Sequence, residues 1–107
     1  MPKPYMQTVL ETTGYDFAHF GWSKAPSGDY GVWAEDSAND LMAGNVHVEK
    51  AVEGTVDYFT RDDSGTPKAA IEAALNNGEI AWYLNSIQFE DDTGYIHYEW
   101  VYQIGED

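Results

Sequence analysis

The chain contains no cysteine, so disulfide staples, thiol nucleophiles and thiolate metal sites are all ruled out, and a reducing compartment is compatible with its composition. Basic residues are scarce: five Lys and Arg stand against 19 Asp and Glu, for a formal net charge of −14. From Ala69 to Asp107 there is no Lys or Arg at all, against eight acidic residues. A surface of that sign repels phosphate backbones and anionic lipid headgroups, which disfavours duplex binding and attachment to a membrane surface. No apolar run is long enough to span a bilayer, and Met1-Pro2-Lys3-Pro4-Tyr5 lacks the apolar stretch of a signal peptide. The expectation is a soluble protein, intracellular when made. Repeats, low-complexity tracts and linkers are also missing, so residues 1–107 read as one domain around one core.

What the chain does have is aromatic side chains, 16 of them, and they are densest in its last quarter. Across Ile96, Tyr98, Trp100, Tyr102 and Ile104 every second residue is large and apolar, with polar His97, Glu99 and Gln103 between them. This is the period-two pattern of a half-buried strand, broken only by Val101. A partner strand, 81–89, joins it through Glu90-Asp91-Asp92-Thr93-Gly94. Its apolar residues change parity between Trp82/Leu84 and Ile87/Phe89, which predicts a bulge near Asn85-Ser86.

Upstream, Pro4 suits the first turn of a short helix with Met6, Val9, Leu10 and Thr13 on one face and Gly14 at its end. Residues 15–22 and 30–35 read as two strands of a hairpin around Ala25-Pro26-Ser27-Gly28-Asp29. The segment 36–45 reads as a loop in which Leu41 and Met42 are apolar, either a flap over the core or a subunit contact. Residues 46–61 alternate as one long strand that should bend or bulge at Gly54. Thr66 as cap and Pro67 at the first helical position open a helix through Asn77, with Ala70, Ile71, Ala74 and Leu75 as its apolar stripe and Gly78 as its stop. That helix can cover the apolar face of the C-terminal ladder. The expected fold is α+β: a mainly antiparallel sheet, an N-terminal helix, and a second helix packed on the sheet.

Chemistry is thin. No Gly-x-Ser-x-Gly, Walker or dinucleotide-binding pattern occurs, so nothing argues for an enzyme or for a cofactor. His47 with Glu49 and His97 with Glu99 would each project from one strand face, and four ligands could converge if the strands were neighbours. Two solvated polar faces is the preferred reading, and no metal is expected. His19, set among aromatic residues, reads as a packed or surface histidine and not as a base. The adjacent pairs Asp62-Asp63 and Asp91-Asp92 fall in turns, where Asp bonds the backbone, and neither fits a calcium loop.

Over residues 46–104, the run Glu53-Gly54-Thr55-Val56-Asp57-Tyr58-Phe59-Thr60, the helix 66–77, Ala81-Trp82-Tyr83-Leu84-Asn85-Ser86 and Ile96-His97-Tyr98-Glu99-Trp100-Val101-Tyr102 together resemble phage tail-terminator and tail-completion (neck) proteins. The resemblance implies a structural virion protein, not an enzyme. It would assemble as a ring, usually of six, at the head-proximal end of a long tail, between the tail-tube protein and the head connector. It would be made in the host bacterial cytoplasm and end in the virion. An acidic lining then has a use, because DNA in transit should not stick to the wall. Asp62, Asp63, Asp91 and Asp92 are the candidates for a lumen or rim, and Leu41 and Met42 for a subunit contact. The alternative reading is an acidic DNA mimic that occupies a nucleic-acid-binding enzyme.

Overall fold

The computed structural model describes residues 5–38 and 51–105. In chain order they form α1 (Tyr5–Glu11), β1 (Phe17–His19), β2 (Tyr30–Ala38), β3 (Ala51–Thr60), α2 (Thr66–Asn77), β4 (Ala81–Phe89) and β5 (Ile96–Gly105). The five strands make one sheet in the order β1-β2-β3-β5-β4. Every pairing is antiparallel except β1 with β2. The fold is therefore α+β, with both helices on one face of the sheet. None of the described helices is long and apolar enough to cross a membrane.

The C-terminal ladder forms as its alternation predicts. Tyr98, Trp100 and Tyr102 are buried, and β4 slips register between Leu84 and Ser86. The extra residue, Asn85, rotates the strand so that Trp82, Leu84, Ile87 and Phe89 all pair with core-facing positions of β5. The turn closes with Gly94 at φ +77°, a conformation that glycine adopts without strain.

The covered face is a single core. Met6, Val9 and Leu10 from α1 and Ile71, Ala74 and Leu75 from α2 pack onto Trp33, Val56, Tyr58, Trp100 and Tyr102. The two helices meet at Gly78, where a Cβ would lie 2.9 Å from the Val9 side chain. The buried indoles are satisfied: Trp33 Nε1 donates to Gln7 Oε1 at 2.6 Å, and Trp100 Nε1 to Glu72 Oε2 at 3.0 Å. No buried side-chain polar atom among the described residues lacks a partner.

Three expectations are corrected. Residues 15–22 and 30–35 are not a hairpin, because only Phe17–His19 is strand and it runs parallel to β2. The ten residues 20–29 carry the chain back to start β2 beside β1, and Trp22 Nε1 ties that connection to Gly31 O. Gly54 does not bulge β3, which stays in register with β5 throughout. The irregularity is opposite it, between Glu35 and Ser37 of β2, and a Cβ on Gly54 would press on the Ala34 carbonyl oxygen and come 2.7 Å from the Tyr102 hydroxyl. At α2 the cap is Gly65, in the left-handed region at φ +86°, so Thr66 is the first helical residue and Pro67 the second. The Ser64 hydroxyl accepts the Thr66 N–H in place of a Thr66 side-chain cap. At the other end Gly78 holds the cap position, but it is Glu79 that turns left-handed, at φ +59°. The strand expected over 46–61 is seen from Ala51 to Thr60. Residues 46–50, with His47 and Glu49, and Leu41 and Met42 of the segment expected as a loop lie outside the described residues.

Candidate functional site

One end of the sheet gathers the acidic turns. Arg61, just after β3, donates from Nε to Thr93 O at 2.9 Å and from Nη1 to Ser27 O at 3.0 Å, with its guanidinium 4.0 Å above the Tyr95 ring. The Tyr95 hydroxyl lies within hydrogen-bond distance of the carbonyls of Ser27, at 3.1 Å, and Gly28, at 2.8 Å. These bonds knit three stretches distant in sequence, 27–29, 61–65 and 90–95, into one surface. Asp62-Asp63 and Asp91-Asp92 thereby come to the same end of the molecule, all four exposed. Asp62 Oδ1 accepts the Ser64 N–H at 2.9 Å, the turn role expected of it. That bond holds its carboxyl below the usual carboxylate range. Arg61 spends both of these hydrogen bonds on main-chain carbonyls, so its role at this end is to position the turns.

Among the described residues nothing covers the face of the sheet away from the helices. Strand register aligns its side chains in cross-strand rows: Tyr30, Phe59, His97 and Gln88; then Val32, Asp57, Glu99 and Ser86; then Ala34, Thr55, Val101 and Tyr83; and finally Glu53, Gln103 and Ala81. No Lys or Arg stands in any of these rows. The first row is an aromatic stack, with Tyr30 on Phe59 at 4.7 Å and Phe59 on His97 at 4.2 Å between ring centres. His97 Nε2 meets Asp57 Oδ1 at 2.8 Å, and Nδ1 faces Glu90 Oε2 at 3.8 Å. The hydrogen bond to Asp57 raises the His97 pKa; burial opposes this in part, and the charges of Asp57, Glu90 and Glu99 add to it. Asp57 and Glu99 are directly opposite on neighbouring strands, a like-charge pairing that costs stability unless compensated. His97 supplies that compensation on one side, and Asn85 Nδ2, donating to Glu99 Oε1 at 2.8 Å, on the other. Asp57 is not conspicuous in the sequence, since the natural partner for His97 there is Glu99, two positions along the same strand.

A second histidine–carboxylate pair lies on the helix side. His19 stacks between Trp33, at 3.8 Å, and Phe20, at 4.1 Å, and its Nε2 is 2.6 Å from Glu35 Oε1. Two shallow depressions flank the far end of the sheet. One, of about 240 Å³, is lined by Tyr5, Met6, Trp33, Glu35, Tyr102 and Ile104 among others. The other, of about 170 Å³, lies between Glu53, Tyr83, Val101 and Gln103.

Neither depression joins a nucleophile to a base. Among the described residues, no three His, Asp or Glu side chains are disposed to hold a metal ion, and the convergence of His47 and Glu49 with His97 and Glu99 lies partly outside them. What the geometry offers is charge and adhesive surface: an acidic end, an open sheet face, and exposed apolar side chains at both sheet edges. No protein-family model matches the chain, and no curated protein matches it at a significant level.

Proposed function

We propose that the chain is a structural protein of a long-tailed bacteriophage virion, a tail-terminator or tail-completion subunit. It forms a ring, taken as a hexamer, at the head-proximal end of the tail, where it halts the tail tube and joins it to the head connector. Its partners are further copies of itself, the tube protein and the connector, and DNA passes without specific binding. It performs no catalysis and carries no cofactor. The reading starts from the resemblance carried by residues 46–104. The observation that supports it best is the gathering of Asp62, Asp63, Asp91 and Asp92, all exposed, at one end of the sheet. Two acidic turns in one place can line a lumen or rim in every subunit at once, and carboxylates facing a passing polyanion keep it from adhering.

Salt separates this reading from the DNA-mimic alternative. With −14 charges on each subunit, ring closure is opposed by repulsion that salt screens over a Debye length of about 8 Å at 0.15 M. Light scattering with negative-stain imaging across a salt series should find rings whose formation strengthens with ionic strength. A compact monomer whose binding to a nucleic-acid enzyme weakens with salt would favour the mimic. Self-assembly that weakens steadily with added salt would count against the ring.

A further inference from the structure

Exposed apolar side chains stand at opposite edges of the sheet, on the same side of it. At the β1 edge Phe20 is 69% exposed, and its backbone sits at φ +72°, where a bulky residue is rarely found. The ring is fixed in place. Phe20 N–H donates to Trp33 O at 2.8 Å, and the ring stacks on His19, itself stacked on Trp33 and bonded to Glu35. An aromatic group held out to solvent by a strained backbone and a rigid stack is a preorganised anchor. Exposed Lys24 follows it in the same connection.

At the β4 edge Ile87 and Phe89 are 53% and 64% exposed. Their register, opposite Tyr98 and Ile96, places them on the helix side as well. β4 is the last strand of the sheet, and it carries no Lys, Arg or Pro, the residues that commonly guard an edge; its one protective device is the bulge at Asn85. Phe89 leads directly into Glu90-Asp91-Asp92, within the stretch from Ala69 onward that has no basic residue. Four strand spacings of about 4.8 Å separate the two edges, roughly 19 Å, so Phe20 cannot reach Ile87 or Phe89 within one chain.

We infer that the two edges are the two halves of one heterologous interface between copies of this chain, with Phe20 and Lys24 of one copy seated against Ile87, Phe89 and Glu90 of the next. The apolar groups match in kind, and Lys24 meets the Glu90 carboxylate, which leaves Asp91 and Asp92 outside the contact. A head-to-tail contact of this sort repeats until it closes into a ring or runs on as a filament. That it closes rests on the ring reading above.

Phe20→Asp and Phe89→Asp each spoil one edge and leave the other intact, and both sites are exposed, so the melting temperature should stay near that of the wild-type chain. Multi-angle light scattering on wild type, each variant and their equimolar mixture reads the interface. The wild-type chain should form rings, and each variant alone should be monomeric, with association weakened at least tenfold. The mixture should give dimers of twice the chain mass, since the one intact pair of edges joins and the two spoilt edges stop growth. If Phe20→Asp does not fold, Lys24→Glu takes its place and should pair with Phe89→Asp in the same way. Wild-type rings that persist in both single variants would overturn the interface and leave the ring reading standing. Loss of association in Phe89→Asp alone would mean a two-fold β4 contact and would likewise overturn it. A wild-type chain that stays monomeric at every salt concentration would overturn both.

Discussion

The two faces of the sheet are built from the same strands and differ in what covers them. On the helix side, Trp33, Val56, Tyr58, Trp100 and Tyr102 are buried under α1 and α2. On the open side, Val32, Thr55, Asp57, Phe59, Glu99 and Val101 are half-buried by neighbours on the sheet and its turns, with neither helix over them. Period-two alternation sends adjacent residues of one strand to opposite environments, so the chain contains its own controls. Burial of aromatic area sets the fold on one face. The other face retains charge, including the opposed Asp57 and Glu99, which a covered core would not accommodate.

The largest test of this contrast uses neighbours on β5. Trp100→Ala removes a fully buried indole and the donor to Glu72, and should cost about 3–5 kcal/mol, much of a typical domain's stability. Val101→Ala, one residue on and facing the open side, should cost about 1 kcal/mol or less, two methyl groups already partly hydrated. Urea midpoints measure both. Equal costs would mean that the open face is covered in solution.

A glycine pair gives the next effect. Gly54→Ala drives a methyl group against the Ala34 carbonyl and the Tyr102 hydroxyl; a main-chain oxygen in a paired strand cannot move aside, so a loss of about 1–3 kcal/mol is expected. Gly28→Ala, with nothing within 4 Å of the added atom, should be near neutral. A Gly54→Ala chain as stable as wild type would show that β2 and β3 part easily at that point.

The same contrast explains what was legible from residues alone. Alternation over Ile96–Ile104 and the parity change around Asn85 give β4, β5 and the bulge, because a strand with one wet face writes its register into polarity. The core stripe of α2 follows from Ile71, Ala74 and Leu75 in the same way. A strand within 15–22 was legible, but the extent and pairing of β1 were not: three residues are too few to show a period, and its parallel pairing depends on how the connection through Trp22 folds back onto Gly31. At the site, the turn role of Asp62 is local and readable. The meeting of the two acidic turns is not, since it depends on Arg61 reaching across to Thr93 and Ser27. His97 and Asp57 are 40 residues apart and become partners only through the β3–β5 register.

A smaller effect isolates that pair. Because its folded pKa is raised, His97 contributes stability that is fully present below its unfolded pKa, near 6.5, and is lost as pH rises through the higher folded value. The stability difference between wild type and His97→Gln should therefore be larger at pH 6 than at pH 8.5, a window in which carboxylates stay charged. Chemical denaturation at both pH values measures it. A difference that does not change, or grows with pH, would show that the imidazole is not held charged by Asp57.

The smallest effect on stability is expected at the acidic end, and it carries the most for function. Replacing Asp62, Asp63, Asp91 and Asp92 together by Asn keeps an oxygen at position 62 to accept the Ser64 N–H, so the turn survives, and exposed substitutions of this kind usually stay within about 0.5 kcal/mol. The change in charge is four units per subunit, repeated around any ring. If these turns face a lumen or a rim, the variant should assemble at lower salt than wild type, because the repulsion that screening must overcome has been reduced. In a phage it should slow or stall DNA passage while tails still join to heads, since a neutral wall no longer repels the polyanion. A DNA mimic predicts the opposite pattern, in which the same variant loses its grip on the target enzyme and gains nothing in assembly. Scattering across a salt series, run on wild type and variant side by side, distinguishes them, and an assembly curve that does not shift would place these four carboxylates away from every subunit boundary.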